Sequence, residues 1–354
     1  MRGFSRERSK RMSHKKTKKS GGGKRAALIV LCVVLAILLV VLVSGTVYLE
    51  TLFGRLNRDN NESLSPEDLA SIFQRETMPA DYTGPVLNRE DVTMPSGSVD
   101  AISQENTINI LLVGQDDGRS DAMILATFNP TKKTITLTSF LRDMYVTIPD
   151  HGDDKLNHSY AYGLANEGSG FRLLNETLAY NFGVQIDGNV GVGFEAFQDV
   201  IDMIGGVDID LTQEEAEHMA YQLGADISPS GGVTHLNGAN ALHYARIRKL
   251  DSDFGRTSRQ RTVLEAIFNK VKGMSVTELN SLLMDVLPLV KTDMSNSQIM
   301  GYALEIFPLL LDCKMDTQQI PADDTWELGW VDQMSVIFVD FEANRDVLHE
   351  TLGD

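Results

Sequence analysis

TINILLVGQDDGRSDAMILATFNPTKKTITLTSF, residues 107–140, contains three strand patterns in succession. INILLVG and AMILATFN are short apolar runs of the kind found in buried strands. After the turn residues TKK, the segment TITLTSF alternates apolar and polar side chains, which is typical of a strand with one buried face. We therefore expect the folded domain to begin at Thr107 with adjacent strands.

Beyond residue 140 the apolar residues switch to the three- and four-residue spacing of helices. Helical patterns lie at 170–182, 193–206, 237–246, 258–273, twice across 275–311 and at 341–353, and further strand patterns lie at 207–211 and 334–340. Strands and helices mixed in this way predict an α/β (mixed α+β) fold. We expect a central, mainly β sheet flanked by helices in three layers.

The first 25 residues differ sharply in charge from the rest of the chain. They hold eleven Lys and Arg against one acid, Glu7, and so carry +10. Because the whole chain carries −17, residues 26–354 carry −27. Runs of Lys and Arg can bind nucleic acid. Here a long apolar run follows at once, so we expect a membrane and no nucleic acid as the partner.

That apolar run is AALIVLCVVLAILLVVLVSGTVYL, residues 26–49, which has no charged residue in 24 positions. A helix of this length spans the roughly 30 Å hydrocarbon layer of a bilayer. A cleavable signal peptide has a shorter apolar core, about 7–15 residues, and a small-residue cleavage site. A retained transmembrane anchor is therefore favoured. The positive-inside rule then predicts a single-pass cell-membrane protein with residues 1–25 cytoplasmic and the chain after Glu50 extracytoplasmic.

Residues 50–106 are polar and separate the predicted anchor from the predicted catalytic domain, residues 107–354. They contain one helical pattern, Ser65–Gln74, whose first residues Ser-Pro-Glu-Asp resemble a helix start. We interpret this segment as a stalk or accessory segment.

A loop of acidic residues follows the first strand pattern, in LLVGQDDGRSDAM. It holds Asp116, Asp117, Arg119 and Asp121 beside glycines. Acids at the carboxyl end of a strand suit a hard cation such as Mg²⁺, which prefers oxygen ligands and few protein ones. A solvated acidic turn is an equally good interpretation of this segment alone.

Arginines are concentrated in LHYARIRKLDSDFGRTSRQ, which contains Arg246, Arg248, Asp253, Arg256, Arg259 and Gln260. The first two are two apart in a piece predicted to be extended, so their side chains point the same way. The last two arginines and the glutamine share one face of a predicted helix. Arginine keeps its charge and offers a planar fork of donors that matches phosphate oxygens. Against a background of −27, the set predicts an anion pocket. The alternative is an ion-paired surface helix.

Six segments in fixed order carry a resemblance to a known family: LLVGQD with GRSDAM, SFLRD, KLNHSYAYG, GFEAFQDVIDMIGGVDIDL, LNGANALHYARIR and DFGRTSRQ. Together they resemble the LytR–CpsA–Psr family from about residue 107 to the C-terminus. The resemblance implies a phosphotransferase that moves teichoic acid, capsule or a similar glycopolymer. The donor would be a polyprenyl-diphosphate-linked glycopolymer and the acceptor peptidoglycan.

The resemblance also implies roles for individual residues. Asp116 and Asp121 match the metal-binding acids of the family, with Mg²⁺ or Mn²⁺ as the cofactor. Arginines and a glutamine match the residues that contact the diphosphate: Arg119, Arg142, Arg246, Arg248, Arg256 and Gln260. Asp253 would orient these arginines, and Lys155 and Asn157 in a K-x-N segment are further contacts. Arg259 is a further candidate for substrate binding because it shares the predicted helix face with Arg256 and Gln260. YGLANEGSG departs from the tighter turn expected after Tyr162.

Two other functions remain open. A pyrophosphatase that hydrolyses the same diphosphate would use the same residues, with water in place of the acceptor hydroxyl. A non-catalytic wall-polymer binding or regulatory protein is the alternative from another class. A direct transcription factor is disfavoured because the 25-residue cytoplasmic arm has no helix-turn-helix pattern.

Overall fold

The structure, a computed structural model, describes residues 48–58, 64–74, 76–95, 97–102, 106–116, 118–224, 227–251, 253–306, 308–309 and 312–353. It divides into two compact units, Met1–Gly54 and Arg55–Asp354. Within the first unit, residues 48–53 are helical, and the basic arm and nearly all of the predicted anchor lie outside the described residues. In the part of the chain that is described, no helix combines the length and apolarity needed to cross a bilayer. The second unit contains the sheets and the candidate site.

A seven-stranded central sheet organises the second unit, with strand order β1-β11-β8-β3-β4-β5-β12. Its strands are β1 (Asn57–Arg58), β3 (Ile108–Asp116), β4 (Arg119–Asn129), β5 (Thr134–Phe140), β8 (Gly188–Gly193), β11 (Val290–Thr292) and β12 (Lys314–Ile320). The meander β3-β4-β5 is antiparallel, whereas β8 pairs with β3, and β12 with β5, in the parallel sense. The three strand patterns of residues 107–140 therefore form the middle of the sheet.

Smaller sheets and the helices complete the unit. The other strands are β2 (Val86–Leu87), β6 (Tyr145–Ile148), β7 (Gly152–Lys155), β9 (Val207–Leu211), β10 (Gly232–Leu236), β13 (Trp326–Val331) and β14 (Met334–Val339). They pair as β10-β9, β6-β7 and β14-β13-β2. The helices are α1 (Pro66–Ile72), α2 (Leu156–Glu167), α3 (Gly170–Phe182), α4 (Phe194–Met203), α5 (Gln213–Leu223), α6 (Gly238–Ala245), α7 (Asp253–Lys272), α8 (Val276–Val286), α9 (Asn296–Ile306) and α10 (Phe341–Leu352).

Both faces of the central sheet are covered, because successive side chains of a strand point to opposite faces. On one face Leu111 and Val113 of β3 belong to the main core, together with residues of α2, α3 and α10. On the other face Ile108 packs with Phe128 and Cys313, and α9 adds Tyr302. This confirms the expected mixed α/β fold with a central sheet flanked by helices.

A separate hydrophobic core underlies the segments that carry Arg246, Arg248 and Arg256. It buries residues of several elements together: Ile201 of α4, Ile204 just after α4, Ile209 of β9, Met219 of α5 and Val263 of α7. Helix α5 begins with a capping box, in which Thr212 and Glu215 satisfy each other's backbone N–H groups. This core fixes α6 and α7, whose residues reach the candidate site.

Several parts of the segment expected to be a stalk, after residue 55, belong to the folded domain. Asn57–Arg58 pairs with β11 at the edge of the central sheet, and Val86–Leu87 pairs with β13. Helix α1 forms where Ser65 was expected to start a helix, with a capping box between Ser65 and Asp68. The polar composition of the segment reflects its surface position, while its backbone groups complete two sheets.

Helix α7 begins earlier than its sequence pattern predicts. The apolar spacing indicated a start near Ser258, but the helix runs from Asp253. Its first turns hold arginines and few apolar residues, so the hydrophobic period gives no signal there. Asp253 in the first turn suits a helix N-terminus, where a negative charge is favourable.

Candidate active site

Five arginines line a cavity of about 310 Å³ where β3 ends and β4 begins, at one end of the strands of the central sheet. The described residues of its wall are Gly114, Arg119, Asp121, Ala122, Arg142, Phe194, Arg246, Arg248, Arg256 and Gln260. We call it the arginine cavity. The structure thus brings together residues from opposite ends of a long stretch of the sequence.

The meander supplies one side of the arginine cavity. Strand β3 ends here with a register shift between Gly114 and Gln115, and β4 begins here with Arg119. A Cβ on Gly114 would lie 3.1 Å from the Cβ of Ala122, so a side chain at this position would press on β4. Arg142 comes two residues after β5 ends, at the same end of the strands. Because β3 and β5 end where β4 begins, Arg119 and Arg142 lie at the same end of the sheet.

Helices α6 and α7 supply the other side. Arg246 is the C-cap residue of α6, with φ −108° and ψ 1°, and Arg248 follows it. The expected extended conformation is therefore replaced by a turn, although both side chains still line the cavity. Arg256 and Gln260, four residues apart on α7, face the cavity together, whereas Arg259, expected on the same face, does not line it.

Carboxylates already surround Arg142. It donates a hydrogen bond to Asp121, and its Nε lies 3.4 Å from Oδ2 of Asp143. Burial acts to lower the pKa of Arg142, but Asp143 and Asp121 outweigh it, and the pKa is raised. This arginine is therefore fixed in place and fully charged.

Arg256 is the buried cation of the cavity, 2% exposed. Its Nη2 donates to Oδ2 of Asp253 at 2.6 Å. Its Nε and Nη1 are buried without a hydrogen-bond partner among the described residues. Burial, opposed by Asp253, lowers the pKa of Arg256 to about 10, with Arg142 and Arg248 acting in the same direction as burial. Buried donors without partners cost about 1–3 kcal/mol each, and an anion in the cavity would satisfy them.

Asp253 contacts Arg256 of α7 and Arg248 of the preceding turn, two of the arginines that the resemblance implies it orients. Besides Arg256, it lies 4.0 Å from Nε of Arg248. Burial raises the pKa of Asp253 despite these arginines. Burial and the neighbouring Arg142 lower the pKa of Arg248. The charges of this side are thus crowded and partly desolvated, which suits a dianionic ligand.

Arg259 does not reach the arginine cavity. Its Nε donates to Glu215 at 2.7 Å, and its Nη2 donates to Asp251 at 2.7 Å. A further donation from Nη1 reaches the carbonyl oxygen of Ile247. The side chain is 6% exposed and joins α5, α7 and the turn between α6 and α7. These contacts are those of a structural ion pair.

Lys155 and Asn157 lie in an adjoining cavity of about 290 Å³, which we call the second cavity. Its described wall consists of Ile72, Gln74, Glu76, Arg119, Arg142, Asp143, Lys155, Asn157, His158, Met334 and Ser335. Arg119 and Arg142 line both cavities. Lys155 and Asn157, the two expected further contacts, therefore line the second cavity and not the arginine cavity.

The predicted metal pair is only partly described. Asp117 and the side chain of Asp116 lie outside the described part of the structure, while Asp121 lines the arginine cavity. Among the described residues, no group of three or more His, Cys, Asp or Glu is placed to hold a metal. Mg²⁺ commonly binds through one or two carboxylates and completes its shell with water and substrate phosphate. Asp121, a carboxylate in a cavity lined by five arginines, fits that donor set.

The apolar residues of α4 divide between the site and the core. The guanidinium carbon of Arg246 lies 4.2 Å from the centre of the Phe194 ring, a cation–π contact at the cavity wall. Ile201 and Ile204 are buried in the core, and Phe197 packs against it. Phe194 therefore lines the arginine cavity, while the other three residues pack in the core.

Two acids at the site were not singled out by the sequence patterns. Asp143 was visible as the neighbour of Arg142 in SFLRD, and its contacts with both Arg142 and Lys155 give it a role at the junction of the cavities. Glu76 lies 79 residues before Lys155, with which it pairs at 2.6 Å. Its segment carried no motif, so no sequence signal pointed to it.

The chain matches one protein family over most of its length. The model of the LytR_cpsA_psr family matches residues 76–351, and the protein belongs to this family. The match begins at residue 76, inside the segment expected to be a stalk. It therefore includes Glu76 and the strand β2 as well as the predicted catalytic domain.

Similar proteins carry a common description. The polyisoprenyl-teichoic acid–peptidoglycan teichoic acid transferase TagU of Oceanobacillus iheyensis is 36% identical over 191 residues, covering 52% of this chain and 58% of that protein. The match thus spans less than two thirds of that relative. A solved structure of TagT bound to LIIa-WTA has a TM-score of 0.58 and 29% identity, covering 73% of this chain and 95% of that one. TagT with bound octaprenyl pyrophosphate lipid has a TM-score of 0.53 and 26% identity, covering 73% and 95%.

Proposed function

We propose that this protein is a membrane-anchored, extracytoplasmic phosphotransferase. It moves a phosphoglycan, such as teichoic acid or a capsule polymer, from a polyprenyl-diphosphate carrier to a hydroxyl of peptidoglycan. The names of its relatives support this proposal, since they are teichoic acid transferases. So does the octaprenyl pyrophosphate bound in a protein of the same fold.

The observation that carries the proposal is Arg256. It is a buried arginine with two donors that have no partner among the described residues, in a cavity with four further arginines. Phosphate oxygens would complete this anion site, because guanidinium groups bind phosphate through paired, charge-assisted hydrogen bonds. Arginines spread around the wall can contact both phosphates of a diphosphate at once.

The reaction needs charge neutralisation more than covalent help from the protein. An acceptor hydroxyl oxygen forms a bond to the phosphorus that carries the glycan. The bond from that phosphorus to the bridging oxygen breaks, and polyprenyl monophosphate leaves. The proton of the hydroxyl passes to a base, for which the two candidate carboxylates are Asp117 and Asp121, the latter on the cavity wall. Arg142, Arg248 and Arg256 stabilise the charge that develops on the leaving phosphate.

A divalent cation, Mg²⁺ or Mn²⁺, belongs to the same proposal. Asp121, with Asp116 as its partner, would hold the ion at the end of β3 and the start of β4. When bound, the ion would withdraw charge from the phosphate oxygens. Asp121 also accepts a hydrogen bond from Arg142, so the acid joins the metal position to the arginines.

The proposed location follows from the N-terminal sequence. Residues 1–25 would lie in the cytoplasm, residues 26–49 would anchor the protein in the cell membrane, and the chain after Glu50 would face the wall. Only residues 50–56 separate the proposed anchor from strand β1 in the sequence. Such a short connection suits an enzyme whose lipid donor is held in the same membrane.

A transfer assay with the full-length protein tests the proposal. The donor is a synthetic polyprenyl-diphosphate-linked glycan and the acceptor a soluble, undecorated peptidoglycan fragment. We expect a glycan–phosphate–peptidoglycan product and released polyprenyl monophosphate. Arg142→Ala should lower the rate about ten- to hundredfold, the loss expected for a charge-assisted hydrogen bond to the transition state. Arg172→Ala, which removes an exposed arginine of α3, is the matched control and should have no effect.

The products separate the competing functions. A product in which water replaces the acceptor would identify a pyrophosphatase. Donor bound by the wild type without turnover, under conditions that include Mg²⁺ and acceptor, would identify a non-catalytic binding protein. Either result would overturn the proposed transfer.

A further inference from the structure

The second cavity adjoins the arginine cavity through a shared wall. Arg119 and Arg142 line both, and the second cavity, about 290 Å³, is close in size to the first. Ligands bound in the two cavities would therefore both contact Arg119 and Arg142. If the diphosphate occupies the first, the second is the neighbouring space from which a nucleophile can approach.

The lysine of the second cavity is already paired with two carboxylates. Lys155, whose side chain is 8% exposed, contacts Oε1 of Glu76 at 2.6 Å and Oδ1 of Asp143 at 3.3 Å. Burial acts to raise the pKa of Asp143, but Lys155 and Arg142 outweigh it, and the pKa is lowered. A phosphate entering here would have to compete with two carboxylates for the lysine. A neutral ligand has no such competition.

Neutral polar groups complete the wall. Gln74, Asn157 and Ser335 present amide and hydroxyl functions. Asn157 is 6% exposed, and its Oδ1 is buried without a hydrogen-bond partner among the residues the structure describes. A buried acceptor of this kind is satisfied by a ligand hydroxyl that donates to it. The wall of the second cavity is therefore suited to a sugar.

One side of the second cavity comes from the segment that precedes the predicted catalytic domain. Phe73 stacks on Tyr162 with ring centres 4.6 Å apart and contacts His158 edge-on. The backbone N–H of Glu76 donates to the carbonyl of Gln333, and the N–H of Ser335 donates to Oε2 of Glu76. These contacts hold Gln74 and Glu76 at the cavity, between α2 and β14.

We propose that the second cavity is the acceptor subsite. It binds a neutral, hydroxyl-bearing sugar of the wall glycan and presents a hydroxyl across Arg119 and Arg142 to the phosphate in the arginine cavity. Glu76 is a positioning residue that keeps Lys155 paired and so reserves the second cavity for an uncharged ligand. This inference rests on the proposed transferase function and adds the location of the acceptor.

Two variants of the full-length protein test the subsite. Asn157→Ala removes the buried acceptor atom, and Gln74→Trp fills the cavity from an exposed position where it does not disturb the core. The donor Kd is measured without acceptor, and the acceptor KM is measured at saturating donor. Asn157→Ala should raise the acceptor KM about three- to tenfold, the equivalent of one hydrogen bond. Gln74→Trp should raise it further. Both should leave the donor Kd unchanged.

Glu67→Trp is the matched control for Gln74→Trp, because Glu67 is an exposed residue of α1 outside the second cavity. It should change neither constant. An unchanged acceptor KM in Gln74→Trp, or a donor Kd that rises with the acceptor KM, would overturn the subsite while leaving the transferase function intact. Absence of any transfer by the wild type would instead overturn the proposed function itself.

Discussion

At the scale of single residues, the site separates side chains that serve binding from those that serve packing. Arg246 is exposed and rests on Phe194, whereas Ile204 is 4% exposed within a core. We expect Arg246→Ala to lower transfer about ten- to hundredfold through lost phosphate contacts, with the melting temperature nearly unchanged. Ile204→Ala should instead cost about 2–5 kcal/mol of stability.

A thermal melt and a transfer assay on both variants check this pair. The result against it would be a sharply lower melting temperature for Arg246→Ala with full activity per folded molecule, because that would make the arginines structural. Arg256→Ala is less clean as a test of binding, since it also leaves the buried carboxylate of Asp253 without its partner at 2.6 Å.

Asp143 predicts a pH dependence of stability. Although burial acts to raise it, the pKa of Asp143 is lowered because Lys155 and Arg142 favour the carboxylate. A carboxyl group with a lowered folded-state pKa stabilises the fold above its unfolded pKa, and this contribution disappears as the pH falls through the folded-state value. Asp143→Asn should therefore be less stable than the wild type near neutral pH, and the difference should shrink below about pH 4.

Denaturant unfolding of both proteins at several pH values measures that difference. Asp312→Asn, at an exposed ion pair with Lys133, is the control and should show little effect at any pH. A gap between wild type and Asp143→Asn that stays constant into strong acid would contradict the assigned direction of the pKa shift.

Asp121 allows metal and donor binding to be tested separately. In Asp121→Ala the arginines remain, so we expect the polyprenyl-diphosphate donor to bind while transfer stops. The wild type should likewise bind the donor in a chelator and turn over only with Mg²⁺ or Mn²⁺. Donor binding is followed by calorimetry and turnover by product release. Equal turnover with chelator and with Mg²⁺ would remove the metal from the proposal.

At the scale of elements, Arg259 joins α5, α7 and the turn between α6 and α7. It connects α7 to Glu215 of α5 and to Asp251 in the turn before α7. Removing one partner of a buried ion pair typically costs about 3–5 kcal/mol, because the other charge stays buried. Arg259→Ala should therefore destabilise the fold strongly, while folded molecules retain their affinity for the donor.

A urea titration combined with a donor-binding assay at low temperature checks this prediction. Loss of donor affinity in a variant of unchanged stability would place Arg259 among the diphosphate contacts, as the predicted shared helix face suggested. Gln260→Ala provides the comparison, because Gln260 follows Arg259 on α7 but lines the arginine cavity. It should weaken donor binding with little change in stability.

At the scale of the whole molecule, the charge asymmetry about residues 26–49 predicts the topology. Residues 1–25 carry +10 and the rest carries −27, so the positive-inside rule places the N-terminus in the cytoplasm. A reporter that is active only in the cytoplasm should be inactive when fused after Asp354 and active when fused before Met1. The reverse pattern would contradict both the anchor and the extracytoplasmic site.

The strands and helices of the domain were largely readable from the sequence because each is a local pattern. The apolar runs of residues 107–140 predict β3, β4 and β5, and the capping residue Ser65 predicts α1. The start of α7 was not readable, since its first turns carry polar residues that serve the site. The cluster of arginines was visible because Arg246, Arg248, Arg256 and Arg259 lie close together in one segment of the sequence.

Which arginines meet in the cavity depends on packing, which the local patterns do not contain. Gln260 and Arg259 are adjacent in sequence but point about 100° apart on a helix, so one reaches the cavity and the other the core. Glu76 and Lys155 meet across 79 positions because α1 docks on α2. Composition and periodicity therefore predicted the elements and an anion pocket. Tertiary packing at one end of the central strands determined the arrangement of the two adjoining cavities. Only tertiary contacts bring residues 76, 142 and 256 close together.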